Sequence, residues 1–116
     1  MNLNQMIITL LLLFTAAVLE AGGDAIVRMG LQTASMSKKA GIFAAGALIL
    51  FAYGYVVNAP RWDFGRLLGV YVVFFFVVAQ LISWAVFHQR PSTAILVGGA
   101  FIVTGGIIIS VSGLGG

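Results

Sequence analysis

The residues of this sequence best suited to chemistry are two carboxylates inside an apolar segment. Glu20 and Asp24 are two of the three acidic residues in 116, and Arg28 follows at the same four-residue spacing. This spacing places all three side chains on one face of a helix. A charged residue at the centre of a membrane helix costs about 2.5 to 3.5 kcal/mol, so such a carboxylate indicates function. A carboxylate that holds a proton and releases it when a cation arrives performs the elementary step of proton-coupled exchange.

Part of this face also has a purely structural interpretation. Asp24 and Arg28 can form an ion pair between successive helical turns at the membrane edge. Glu20 has apolar flanking sequence and little access to water, so we expect it to bind proton and substrate. Asp24 would then tune or share that charge, and the two carboxylates would titrate as a coupled pair.

The overall composition argues against most soluble enzyme chemistry. Hydrophobic residues make up 61% of the chain and charged residues 8%, whereas a soluble domain is about a quarter charged. With no cysteine and one histidine, we expect no enzyme activity, no metal site and no cofactor. The six basic residues form no long run, so we also expect no nucleic-acid partner.

Four apolar segments are long enough to cross a bilayer, which takes about 20 residues in a helix. The predicted spans cover residues 3–28, 40–57, 67–87 and 94–111. Their unbroken apolar runs do not alternate as barrel strands do. We therefore predict an all-α membrane protein in which residues 1–116 form a single domain of four transmembrane helices with short loops. The opening MNLNQ lacks the basic residues of a signal peptide, so we expect the first span to be retained.

The basic residues give only a weak orientation in the membrane. An even number of spans puts both termini on one side. The first and third loops lie on the other side and hold four basic residues: Arg28, Lys38, Lys39 and Arg90. The second loop holds two, Arg61 and Arg66, beside Asp63. Because basic residues favour the cytoplasmic side, both termini are weakly predicted to lie outside, and insertion in both orientations stays open.

Several short patterns together resemble the small multidrug resistance family of the drug/metabolite transporter superfamily. The spacing of Glu20, Gly23 and Arg28 is similar to that of a glutamate, a glycine and a basic residue in the family's first helix. SWAVFHQR, residues 83–90, is similar to the segment that closes the family's third helix. The resemblance implies a four-helix chain whose first three helices line a substrate chamber. It also implies a dimer, in that family an antiparallel one.

The fourth span carries two stripes of glycine. Gly98 and Gly105 lie seven residues apart, where the resembled family has two glycines, and Gly99 and Gly106 form a second stripe beside them. Small residues let membrane helices approach closely. Packing within one subunit is one explanation of the stripes. The resemblance implies the other explanation, which is that Gly98 and Gly105 lie in a dimer contact.

The third span departs from the resembled family, which has a tyrosine, a tryptophan and a flexible Gly-x-Gly bend there. The aligned positions are Leu68, Tyr71, Val73 and Phe75. We expect Tyr71 to replace the tryptophan, as an aromatic wall or as a hydroxyl partner for Glu20. Gly65-Arg66 and Tyr71 are also similar to a neighbouring group of small membrane proteins in the same superfamily.

The second span ends with Tyr53 and Tyr55. Tyrosines are common at the membrane–water interface, so an interfacial position explains both. The sequence leaves open whether one of them faces the chamber.

From these features we predict a proton-coupled antiporter of a small cationic or amphipathic molecule. It would act as a homodimer in a bacterial-type inner membrane, with its substrate and proton site at Glu20, Asp24 and Tyr71. Two alternatives remain open. In an accessory subunit of a larger membrane complex, Glu20 would pair with a basic residue of the partner. In a flippase-like subunit for a lipid-linked anionic sugar, Arg28, Lys38 and Lys39 would matter more than Glu20.

Overall fold

A computed structural model describes residues 2–114, which form four α-helices and contain no strand. The helices are α1 (Leu3–Leu31), α2 (Met36–Val57), α3 (Phe64–Phe87) and α4 (Thr93–Leu114). All four are long and apolar enough to cross a membrane. Helices satisfy their own backbone hydrogen bonds, which lipid cannot do for them. The predicted all-α membrane protein with four spans is therefore confirmed.

The helices extend past the apolar runs that predicted them. α2 begins at Met36 rather than at residue 40 and includes Lys38 and Lys39. α3 begins at Phe64 rather than at residue 67, and α1 continues to Leu31. Backbone hydrogen bonding does not depend on side-chain polarity, so a helix can continue into the interfacial region. There, long basic side chains reach water along their apolar stems.

The connection between α3 and α4 is a tight turn set by polar residues. His88 ends α3 in the left-handed conformation, with φ 56°. The backbone N–H of Gln89 donates to the carbonyl of Ser83 at 3.0 Å, which satisfies a carbonyl of the last helical turn. The hydroxyl of Ser92 then accepts from the backbone N–H of Ile95 at 3.2 Å and caps the start of α4.

α1 packs against both α2 and α3, while α4 packs against α3. Glycines allow the close approach of α1 and α2. A Cβ atom at Gly46 of α2 would lie 2.8 Å from Cγ2 of Val27, and one at Gly23 of α1 would lie 2.8 Å from Cδ2 of Leu50. Either methyl group would require the facing side chain to shift. Gly23, which from sequence could equally have bordered a ligand, is buried against α2 instead.

The best-buried residues lie where α1 meets the end of α2 and the start of α3. Leu13, Ala16 and Ala17 of α1 are fully buried, and Val57 and Leu67 are nearly so. Large apolar side chains on the outer helix faces remain uncovered, as in Phe51 and Phe101, which are more than three-quarters exposed. In a bilayer these faces contact lipid, where apolar exposure carries no cost.

Candidate functional site

Glu20 lies on α1 at the boundary between packed and open parts of the bundle. Its side chain is partly buried, and its Oε1 accepts a hydrogen bond of 2.8 Å from the hydroxyl of Tyr71 on α3. Tyr71 is only 4% exposed. Two residues 51 positions apart in the chain thus meet inside the membrane-spanning region. The structure brings Glu20 and Tyr71 together in the hydroxyl-to-carboxylate contact expected from the sequence, while their role in transport stays a prediction.

An aromatic wall surrounds this hydrogen bond. The ring of Tyr53 on α2 lies 5.7 Å from the ring of Tyr71, centroid to centroid, and the ring of Phe75 on α3 lies 6.3 Å from it. Tyr53 also lies near the Glu20 carboxylate. Tyr55, by contrast, is 76% exposed and points outward. Sequence reasoning left the role of both tyrosines open, and the structure assigns Tyr53 to the site.

A cavity opens between the C-terminal halves of α1 and α3. Its volume is about 470 Å³, and it is open on one side. Pockets for small molecules typically measure about 300 to 1,000 Å³. Asp24 and Arg28 line it from α1, opposite Phe75, Ser83 and Phe87 of α3. Ala21 also lines it, whereas Glu20 and Tyr71 do not, so the carboxylate that belongs to the cavity wall is that of Asp24, one helical turn beyond Glu20.

Asp24 and Arg28 both face this cavity without pairing with each other. Their side chains are exposed, and the guanidinium carbon of Arg28 lies 5.4 Å from the centroid of the Phe87 ring. Throughout the part of the chain that the structure describes, no basic nitrogen comes within 4.0 Å of a carboxylate oxygen. The ion pair offered as a structural interpretation of these two residues is therefore absent. Asp24 lies where the site prediction requires it, and its function stays a prediction.

The two glycine stripes of α4 have different surroundings. A Cβ atom at Gly99 would overlap the ring of Phe76, and one at Gly106 would overlap the side chain of Val73. At Gly98 and Gly105 a Cβ atom would meet nothing within 4 Å. The inner stripe therefore packs α4 against α3, and the predicted pair, Gly98 and Gly105, faces outward. Packing within the subunit does not account for the outer stripe.

Arg66, near the start of α3, is a functional candidate that sequence reasoning did not single out. Its guanidinium lies 4.4 Å from the ring centroid of Trp62, and its Nε and Nη2 atoms are buried without a hydrogen-bond partner. In the sequence it is notable only as part of the Gly65-Arg66 pattern, which did not predict a site residue. For metal ions, the described residues contain no group of three His, Asp or Glu side chains that could bind one.

Comparison with known proteins gives two matches. The model of the family described as "Uncharacterised BCR, YnfA/UPF0060 family" matches residues 6–115. The UPF0060 membrane protein YfjF of Bacillus subtilis (strain 168) is 37% identical over 106 residues, which cover 90% of this chain and 94% of the relative. No solved structure matches the chain significantly. The matched family is one of small membrane proteins, and its region includes all four helices and the Glu20–Tyr71 contact.

Proposed function

We propose, from the premise that this chain belongs to the YnfA/UPF0060 family of small membrane proteins, that it is a proton-coupled exchanger of small cationic or amphipathic molecules. It is a homodimeric transporter of a bacterial inner membrane, without enzyme activity or a cofactor. The resemblance to the small multidrug resistance family supports this proposal, as does the arrangement of groups around Glu20.

The observation that carries the proposal is the 2.8 Å hydrogen bond between Tyr71 and Glu20, one helical turn from Asp24 in the wall of an open cavity. The hydroxyl occupies Oε1 and fixes the carboxylate within an apolar bundle. The remaining lone pairs of the carboxylate are free to bind either a proton or the cationic group of a substrate. Because charge in this setting is costly, a carboxylate without a proton favours a cation as its partner.

Coupling follows if the proton and the cation exclude each other at Glu20. A ligand shifts an equilibrium only through its different affinities for the two states. A cation binds the ionised carboxylate and not the protonated one, so its arrival releases a proton. A proton that binds on the opposite side of the membrane displaces the cation in turn. Tyr71 keeps the carboxylate in place during both steps, and Tyr53 supplies a second aromatic surface for the substrate.

A dimer would cover the face of α4 that one chain leaves exposed. α4 packs against α3 with its inner face only, and its outer face with Gly98 and Gly105 is uncovered. Close packing through such small residues is a common driving force between membrane helices. By the resemblance to the small multidrug resistance family, two copies joined there would bring their first three helices around one chamber with two Glu20 carboxylates. The weak charge bias of the loops is compatible with an antiparallel pair.

Electrophysiology of the purified protein on a solid-supported membrane tests the proposal. A panel of organic cations is applied to the wild type, to Glu20→Gln and to the control Asp63→Asn. Asp63 is exposed at the start of α3, and its side chain caps no backbone group. We expect charge movement with at least one cation in the wild type and in Asp63→Asn but none in Glu20→Gln. Equal currents in Glu20→Gln would refute the proposal, and copurification of a different membrane protein at equal stoichiometry would refute the homodimer.

A further inference from the structure

We propose, building on the exchange function above, that the substrate is a zwitterion and that the cavity recognises both of its charges. Its cationic group binds at Asp24, one helical turn from Glu20, and its acidic group binds the guanidinium of Arg28. The substrate class is thus a small amino acid or a similar dipolar metabolite rather than a simple organic cation.

The charge pattern of the cavity wall is the first support. Asp24 and Arg28 lie one helical turn apart, which is about 6 Å along the axis of α1, and both line the same cavity. Opposite charges at this spacing usually pair on a helix surface. Here they do not, so the cavity presents one unpaired anion and one unpaired cation in sequence along its wall.

The position of Arg28 is the second support. Its guanidinium lies over the ring of Phe87, a stacked arrangement that holds the side chain in place and leaves the N–H groups at its edge free. A guanidinium presents these donors in a fork that matches a carboxylate. The other polar side chains that line the cavity, Ser83 and Gln89, are in hydrogen-bond contact with each other at 3.4 Å.

A simple cation fits this cavity less well than a zwitterion. A cation bound at Asp24 would lie close to the positive charge of Arg28, which repels it. An acidic group on the same molecule replaces that repulsion with an attraction. The volume of about 470 Å³ suits a molecule of amino-acid size or somewhat larger.

Isothermal titration calorimetry with two matched probes tests this inference. 5-Aminopentanoate is a zwitterion, and 5-amino-1-pentanol has the same chain with an alcohol in place of the carboxylate. Both are titrated into the wild type, into Arg28→Gln and into Arg90→Gln, which removes the same charge from the same side of the membrane but outside the cavity. Arg28→Gln should weaken the binding of 5-aminopentanoate by roughly tenfold or more, because a hydrogen bond to a charged group is lost. Its effect on the alcohol, and that of Arg90→Gln on either probe, should be small.

Three results would overturn the inference. They are no binding of 5-aminopentanoate to the wild type, an equal loss of affinity for both probes in Arg28→Gln, or a selective loss of affinity for 5-aminopentanoate in Arg90→Gln as well. A failure of the exchange function would be seen in proton release and not in the affinity for the probes. Titrations in two buffers with different ionisation enthalpies count the protons released on binding. Zwitterion binding that depends on Arg28 but releases no proton would contradict the exchange function and leave the assignment of the ligand class intact.

Discussion

Tyr71→Phe removes a single oxygen atom from the centre of the bundle. The ring should keep its place, because Tyr53 and Phe75 flank it and it is 4% exposed. What is lost is the 2.8 Å hydrogen bond to Glu20 that joins α1 to α3. The substitution therefore isolates the one polar contact on which the site depends, with almost no change in packing volume.

The size of the effect follows from the kind of bond removed. A hydrogen bond contributes about 0.5 to 1.5 kcal/mol net in a neutral pair and about 1.5 to 3 kcal/mol when one partner is charged. Double-mutant cycles on polar contacts between membrane helices give smaller values, about 0.6 kcal/mol on average and about 1.7 kcal/mol at most. Because Glu20 is only partly buried, we expect a coupling free energy within that lower range of about 0.6 to 1.7 kcal/mol.

The assay is a double-mutant cycle on the free energy of unfolding, measured by steric trapping in bicelles. Glu20→Met serves as the second substitution, because methionine has a similar length and accepts no strong hydrogen bond. The cycle compares the wild type, the two single variants and the double variant. The control cycle pairs Glu20→Met with Tyr55→Phe, since Tyr55 is 76% exposed on the outward face of α2.

A coupling free energy for Tyr71 below about 0.3 kcal/mol, the ordinary error of additivity, would refute the reasoning. So would equal values for Tyr71 and Tyr55, since an effect shared by both tyrosines cannot come from one hydrogen bond. A coupling free energy found only for the control pair, Glu20 and Tyr55, would mean that Glu20 contacts α2 rather than α3.

Two further predictions concern packing and use neighbouring residues as controls. Gly106→Leu should lower the free energy of unfolding of the monomer by about 1 to 3 kcal/mol through overpacking against α3. Gly105→Leu should leave the monomer unchanged and weaken the dimer in sedimentation equilibrium; equal destabilisation of the monomer by both would contradict the two-stripe assignment. Arg66→Lys should cost about 0.5 to 1 kcal/mol of unfolding free energy through loss of stacking on Trp62. Arg61→Lys, at an exposed position, should cost nothing measurable, and thermal unfolding of both variants checks the difference.

The sequence predicted the fold well because hydropathy and length determine membrane spans almost directly. It predicted less about which helix faces point inward. α2, α3 and α4 are apolar on nearly every face, so no contrast between polar and apolar faces orients them. The difference between Gly98 and its neighbour Gly99 depends on the rotation of α4 against Phe76. That rotation is set by the fit of side chains between helices, which spacing along one helix does not encode.

Some residues of the site could be predicted from the sequence, and others could not. Glu20 was identifiable because a carboxylate is rare and costly in an apolar helix. Tyr71 followed from its place in the resembled family's third helix. Tyr53 did not follow, because Tyr55 two residues later has the same chemistry and the two lie on different sides of α2. The separation of Asp24 from Arg28 was also unpredictable, since it depends on the ring of Phe87 at the far end of α3.

The central claim is that one carboxylate holds either a proton or a cation but never both. Glu20 is the one glutamate in the sequence, so glutamate labelled with ¹³C at its side-chain carboxyl gives a single assignable NMR signal. The measurement is the shift of that signal in bicelles during a cation titration, at a fixed pH where the ligand-free protein holds the proton. We predict that a saturating cation moves the signal from its protonated to its ionised position. A signal that stays at the protonated position while the cation is bound would contradict the claim.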